Sequence, residues 1–337
     1  VIDVSVIVAT QNRRQILPQA VNAILRQEGV AIELVVVNDG STDETRPWLD
    51  RLAATDPRVK VAHHLQPRFA AGARNVGIAC ATGHWVAFCG DGDLWAPDKL
   101  ATQLAALHVS SARWGCTGSV VVDECLQIVG HHHARGGLVL AALLKRNIIP
   151  TGSSVIVERR LVRLVGGFDR SLRDAEDWDL WIRLAQHSPL ATIDRPLVAD
   201  RLGRQSRAMR TALLPARGPV VAERYAALAA NHALEPDEAG HEHDLARRSR
   251  RAAASARAAS IFSALAFKRR QWRELPRTAA ALVAPGMTDR IGQAGAAAAV
   301  PAAWREEAEG WLRPIREANQ IAVQHHPAWV RARELEA

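Results

Sequence analysis

Asp91 and Asp93 flank a single glycine within residues 88–100, FCGDGDLWAPDKL. Two carboxylates spaced this way on a turn can supply hard oxygen ligands to Mg2+ or Mn2+. A cation held there would bridge diphosphate oxygens and neutralise a leaving group. Gly90 and Gly92 let the backbone turn tightly and approach a ligand closely. The competing reading is an ordinary acidic turn before a helix, with Asp98 a solvated helix-start residue.

Other polar groups could join this chemistry. Asp39 lies in Asn38-Asp39-Gly40-Ser41, a good turn sequence that needs no ligand. Its carboxylate could equally accept from a base N–H or a ribose hydroxyl. Arg74 is either a surface helix residue or a fork-shaped donor to base or phosphate oxygens. Glu176-Asp177-Trp178-Asp179 places acids in a first helical turn, where they complement the macrodipole. One of these carboxylates could instead face an acceptor as general base. Trp178 and Trp181 read mostly as core. His131-His132-His133 reads as a solvated loop in preference to a metal ligand. Arg247, Arg248, Arg250 and Arg251 read as a solvated helix face, with acidic-lipid or phosphate binding as the sharper alternative.

Regular elements must position these groups. Residues 4–9 (VSVIVA) and 32–37 (IELVVV) are continuous apolar runs, as in parallel strands covered on both faces. Leu17, Val21, Ile24 and Leu25 repeat at helical spacing between them. Residues 59–65 and 85–89 give two further strands. Ser41 to Glu44 reads as a capping box, and Pro97 suits the first turn of a helix carrying Leu100, Leu104 and Leu107. Residues 155–157 read as a strand and 177–186 as a helix. The β-α-β-α order predicts a doubly wound α/β sheet, with ligands beyond the carboxyl ends of its strands. After about Leu202 the chain turns Ala- and Arg-rich. Residues 225–233, 245–267 and 304–311 look helical, and 294–300 reads as a linker.

Composition narrows the partners. The 337 residues carry 43 Lys and Arg against 35 Asp and Glu, a net charge of +8, which attracts phosphates in general. No nucleic-acid-binding motif accompanies the charge, so nucleic acid is not expected. The four cysteines form no CxxC pair and suggest no disulfide framework, which points to a reducing cytoplasm. Cys80 and Cys89 read as small core residues. Residues 4–9 are too short, and lack the basic lead, for a signal peptide. No apolar run of about 18 residues predicts a membrane-spanning helix.

Four blocks, in order, resemble the family 2 glycosyltransferases of GT-A fold. They are VSVIVATQNR, ELVVVNDGSTDET, AAGARNVGIACATGHWVAFCGDGDLWAPDKL and VGGFDRSLRDAEDWDLWIRLA. The resemblance covers residues 4–202. It implies a GT-A doubly wound, mostly parallel α/β sheet with helices on both faces. Residues 1–95 would be a nucleotide half, 96–202 an acceptor half, and 203–337 an appended α-helical C-terminal region. Thr10, Gln11, Asn12, Arg13, Asp39, Arg74 and Asp91 would surround the nucleotide of a diphosphate sugar donor. Asp93 and Asp91 would lie at Mg2+ or Mn2+, and Asp177 would be the catalytic base with Glu176 beside it. Transfer of a hexose or pentose would invert the anomeric centre by single displacement.

This sequence departs from the family pattern twice. Gln11 stands where many relatives have an aromatic residue on the base. Counting back from Trp95-Ala96-Pro97, its acids are displaced by one position from the common register. The acceptor class stays open: a glycan, a lipid carrier or a small natural product. Peripheral membrane contact and a homo-oligomer are roles open to the helical region. The rival reading is a nucleotide- or partner-binding module of the same fold with impaired catalysis.

Overall fold

The computed structural model describes residues 1–172, 175–202, 218–226, 228–229 and 300–324. The chain begins with strand β1 (Val4–Thr10), helix α1 (Leu17–Leu25), β2 (Ile32–Asp39), α2 (Thr45–Thr55), β3 (Val59–His64), α3 (Phe69–Cys80) and β4 (Trp85–Gly90). The apolar runs expected as strands are strands. β1 shows why such runs are continuous. Val4, Val6 and Val8 pack with Leu17, Val21 and Ile24 of α1 on one face. Ile7 packs with Ala71 and Ile78 of α3 on the other. A Cβ at Gly77 would collide with Ile7, so α3 lies directly on β1.

The second half adds β5 (Leu94–Trp95), α4 (Lys99–Val109), β6 (Trp114–Val122), β7 (Ile128–His132), α5 (Leu140–Lys145), a 3-10 turn (Gly152–Ser154), β8 (Ile156–Glu158), α6 (Arg159–Leu164), α7 (Glu176–Ala185) and β9 (Leu190–Arg201). The strands form one sheet in the order β3-β2-β1-β4-β8-β6-β9-β5, with β7 on β6. The β3-β2-β1-β4 part is wholly parallel. Antiparallel pairs enter through β8, β7 and β5, and β6 pairs with β9 in parallel.

Among the described residues, helices α8 (Gly218–Arg224) and α9 (Ala302–Gln324) follow. Of the helix expected over 225–233, residues 227 and 230–233 lie outside the described residues; backbone hydrogen bonds run from the Tyr225 N–H to the Val221 carbonyl and from the Ala229 N–H to the Tyr225 carbonyl. The helix expected over 304–311 lies within α9. Trp304 of α9 packs so closely on Gly118 that no Cβ would fit there. Arg195 pairs with Glu307 at 2.7 Å and with Asp98 at 3.0 Å, tying β9 to α9 and to the start of α4. The helix expected over 245–267, its arginines 247, 248, 250 and 251, and linker residues 294–299 lie outside the described residues.

Three local expectations need correction. Ser41 and Glu44 form no capping box. Ser41 Oγ accepts from the Asn12 N–H, and Asp43 instead accepts from the Thr45 N–H at 3.0 Å. A partner in another loop outcompetes the local pattern. Cys80 is exposed, because α3 turns Ala71, Ala73, Gly77 and Ile78 inward; Cys89 is core as expected. His131 and His132 belong to β7, not to a loop; His131 meets the Trp304 ring edge-on and His133 meets it tilted, with centroids 5.8 and 4.6 Å away.

Glu33 is buried in β2. Burial pushes its pKa up, but Lys60 (2.6 Å), Ser5 (2.5 Å) and the Thr82 N–H (2.6 Å) and hydroxyl outweigh that and bring it to about 2. A depressed folded pKa adds stability that is full above the ordinary value of 4.5 and is lost as pH falls toward 2. Glu33→Gln is expected to cost roughly 1–3 kcal/mol at neutral pH and to flatten the acid dependence in that window. Urea denaturation across pH checks both.

Candidate functional site

Register brings the candidate groups level. Thr10 pairs with Asn38, Asp39 with His64, and Ala9 with Gly90, so β1 to β4 end along one edge. In an open parallel sheet this edge is where ligands bind.

On the β2–β3 side Asp39 is buried. Its Oδ1 accepts from His64 Nδ1 at 2.7 Å and from the Arg68 N–H at 2.8 Å. Among the described residues no hydrogen bond reaches its Oδ2. The hydrogen bond to Asp39 makes Nδ1 the donor of His64, and the buried Nε2 of the same ring is left without a partner. Asn12 braces this side. Its φ is +54°, a left-handed conformation that asparagine tolerates. Its Oδ1 accepts from the Thr42 N–H at 2.7 Å, which locks the loop after β1 to the loop after β2. Gln11 is exposed beside it.

On the β4 side the two acids part company. Asp91 accepts from the Thr10 hydroxyl at 3.0 Å and lies 3.6 Å from Arg13 Nε. Asp93 is 9% exposed and points inward. Its Oδ2 accepts from Ser153 Oγ at 2.5 Å and its Oδ1 from the Arg201 N–H at 3.2 Å. Ser153 Oγ accepts in turn from the Gly90 N–H at 2.7 Å. Burial raises the Asp93 pKa against the opposing effect of those donors. Among the described residues no three His, Cys, Asp or Glu side chains converge as a metal site. The DxD spelling therefore yields one carboxylate at the strand tip and one that fastens the tip to the 3-10 turn and to β9.

Arg201 closes this side. Its Nη2 donates to Gln19 Oε1 at 2.5 Å, and its buried Nε has no partner. Burial lowers its pKa, and Arg13 nearby adds to that. Below it Lys99 is fully buried, with its ammonium 3.8 Å from the Trp95 ring and 2.8 Å from Gln103 Oε1. Burial brings its pKa down to about 7. Gln103 Nε2 donates to the Ser154 carbonyl at 2.8 Å and so carries this support back to the 3-10 turn.

The acidic cluster at the start of α7 faces the sheet edge through Arg74. Arg74 Nη1 lies 2.9 Å from Glu176 Oε1, and its guanidinium sits 5.3 Å from the Phe168 ring. Asn75 bonds both the N–H and the carbonyl of Phe168 at 2.8 Å. Asp177 is partly exposed, and its Oδ1 accepts from the Trp178 N–H at 2.7 Å. Asp179 is fully buried and gathers Arg183, Arg224 and Tyr225, which anchors α8 to α7. Trp181 is core, stacked 6.1 Å from Trp114. Trp178 is half-buried and donates to the Leu143 carbonyl.

Comparison with known proteins gives this edge a context. The profile described as Glycosyl transferase family 2 matches residues 5–135. A Bacillus subtilis glycosyltransferase assigned to teichuronic acid biosynthesis, TuaG, is 30% identical over 182 residues, covering 54% of this chain and 71% of that protein. The chain belongs to glycosyltransferase family 2. An uncharacterized glycosyltransferase of Haemophilus influenzae is 27% identical, over 59% of this chain and 65% of its own length. Escherichia coli WfgD, named a UDP-Glc:alpha-D-GlcNAc-diphosphoundecaprenol beta-1,3-glucosyltransferase, is 27% identical over 59% of this chain and 76% of its own. The crystal structure of Staphylococcus aureus TarS residues 1–349 with UDP-GlcNAc superposes with a TM-score of 0.55 at 18% identity, covering 70% of this chain and 68% of that one. That likeness establishes the GT-A fold.

In this family 2 glycosyltransferase the edge brings together Thr10, Arg13, Asp39 and Asp91. Arg74 joins Glu176 instead of lying free on the surface, and Asp93 turns away. His64, Ser153, Gln19 and Arg201 also enter, residues that the sequence pattern does not single out. Arg201 closes the β9 strand after an apolar run, so a strand-end rule applied to 197–201 would have found it. Asp93→Ala is expected to leave the Ser153 hydroxyl and Arg201 N–H unpaired and to cost roughly 1–3 kcal/mol of stability. Asp91→Ala should leave the melting temperature almost unchanged. Thermal unfolding of the two variants side by side checks the division.

Proposed function

We propose that this chain moves a sugar from a UDP- or dTDP-sugar to an acceptor hydroxyl or amine with inversion, Asp177 acting as general base. The observation that carries the reading is the edge itself. Thr10, Asp39 and Asp91 lie at the ends of neighbouring strands, and Arg74 of α3 pairs with Glu176 at the acidic start of α7. The complex of TarS with UDP-GlcNAc and the naming of WfgD as a UDP-Glc transferase support a UDP-type donor.

In the proposed reaction Asp177 takes the acceptor proton as the acceptor oxygen or nitrogen attacks the anomeric carbon. The bond from that carbon to the diphosphate oxygen breaks, and the nucleoside diphosphate leaves with the electron pair. One base suffices, because a single displacement forms no sugar–enzyme bond. Arg13 and Arg201 bring guanidinium charge to the diphosphate side. A single strand-tip carboxylate suits Mg2+ or Mn2+, since such ions take one or two carboxylates and fill their shell with substrate phosphates and water. Asp91 would hold the cation, which supplies neutralising charge to the departing diphosphate, and Asp93 would fix the turn that carries Asp91. Glu176 and Arg74 hold the start of α7 against the donor side. A glycan, a lipid carrier or a small natural product would serve as acceptor, and we place the reaction in the cytoplasm. Among the described residues no helix is long and apolar enough to cross a membrane.

The displaced acids and the inward Asp93 favour a second reading, a binding module with impaired catalysis. Asp177→Asn separates the two. The enzyme reading expects turnover to fall about 10²–10⁴-fold while nucleoside diphosphate affinity is kept. Unchanged function in that variant supports the module. Absence of calorimetric binding to any nucleoside diphosphate, with Mg2+ or Mn2+ present, contradicts both.

A further inference from the structure

Phe69 is an aromatic residue in a conformation that bulky side chains avoid. Its φ is +61°, in the left-handed region, at the first residue of α3. A bulky residue there is a true outlier, and such outliers gather at ligand-binding and active sites. The residue is also 49% exposed.

Contacts of the preceding residues hold this loop in place. The Arg68 N–H is held by Asp39 Oδ1 at 2.8 Å. Pro67 lies against Gly40, where an added Cβ would sit 2.9 Å from the proline Cδ. Gly40 itself has φ +72°. The loop after β3 is thus clamped onto the turn after β2, and Phe69 directly follows the residue whose N–H Asp39 holds. The same corner holds unmet hydrogen-bonding capacity in Asp39 Oδ2 and His64 Nε2. Across the edge, the exposed Gln11 offers no flat ring.

An exposed aromatic residue one position from the N–H that a carboxylate holds suits a nucleobase. The base stacks on the ring, and the carboxylate accepts from a base N–H. We propose that Phe69 is the stacking platform for the donor's base, held in its strained backbone by the Asp39–Arg68 clamp. This rests on the nucleotide-sugar reading of the cleft and deepens it by assigning base recognition to the β2–β3 corner. The phosphate side, at Asp91, Arg13 and Arg201, lies at the other end of the same strand edge.

The test is calorimetric binding of UDP and of inorganic pyrophosphate to the full chain and to Phe69→Gly, Phe69→Leu and Phe69→Trp. Base–aromatic stacking predicts a UDP Kd roughly 5- to 100-fold weaker in the Gly and Leu variants and nearly restored in the Trp variant. Pyrophosphate affinity should stay the same in all four proteins. Phe69→Gly should unfold at a temperature no lower than the parent, because glycine relieves the left-handed backbone. Equal UDP affinity in Phe69→Gly and the parent overturns the proposal while leaving the donor reading standing. Equal losses of UDP and pyrophosphate overturn it too, since the loop and not the ring would then be responsible. A parent protein that binds pyrophosphate but shows no added affinity for UDP removes the base site altogether.

Discussion

Thr10, Asp39, His64 and Gly90 end level with one another because β1, β2, β3 and β4 run parallel in fixed register. That register depends on burial of both sheet faces. A slip of one residue would send Val4, Val6 and Val8 to the α3 side and Ile7 to the α1 side. It would also carry the strand tips out of line. Even the loops obey the same constraint. Asn12 can brace Thr42, and Asp39 can hold Arg68, only while the ends of β1, β2 and β3 stay level.

The two acids of the glycine-rich turn show how tertiary contact divides labour within one short motif. Asp93 ties the turn to Ser153 and to the end of β9, and so joins the end of β4 to later segments of the chain. Asp91 stays near the tip with Thr10 and Arg13. A buried polar group is costly unless paired, so Asp93 is committed to its partners. Arg201 gains from the arrangement, since its backbone anchors on Asp93 and its side chain reaches Gln19. The Arg74–Glu176 pair plays the matching role on the other side, where it connects α3 with the start of α7.

Much of this could be read from the chain itself, and the reasons are physical. The parallel strands are continuous apolar runs because both faces are covered, which leaves a strong local signal. Asp39, Asp91 and Arg74 stood at strand ends or in strong motifs, so position alone singled them out. What stayed hidden depends on distant partners. The inward turn of Asp93 needs Ser153, 60 residues on, and the backbone of Arg201, 108 residues on. The pattern from Ser41 to Glu44 looked like a cap, but the Asn12 loop supplied a better partner. His131 read as loop because β7 is short and pairs only at the sheet's margin with β6. The left-handed Phe69 carries no sequence signal, because aromatic residues at that position ordinarily adopt helical or extended backbone.

The account's central claim is that the carboxyl edge of β1 to β4 holds a nucleoside diphosphate, base toward Asp39 and diphosphate toward Asp91. A crystal structure of the full chain grown with UDP and Mn2+ tests this most directly. The predicted result is the base within hydrogen-bond reach of Asp39 and the diphosphate within reach of Asp91, Arg13 or Arg201. A nucleotide bound elsewhere, or in the reverse orientation along the edge, would contradict it.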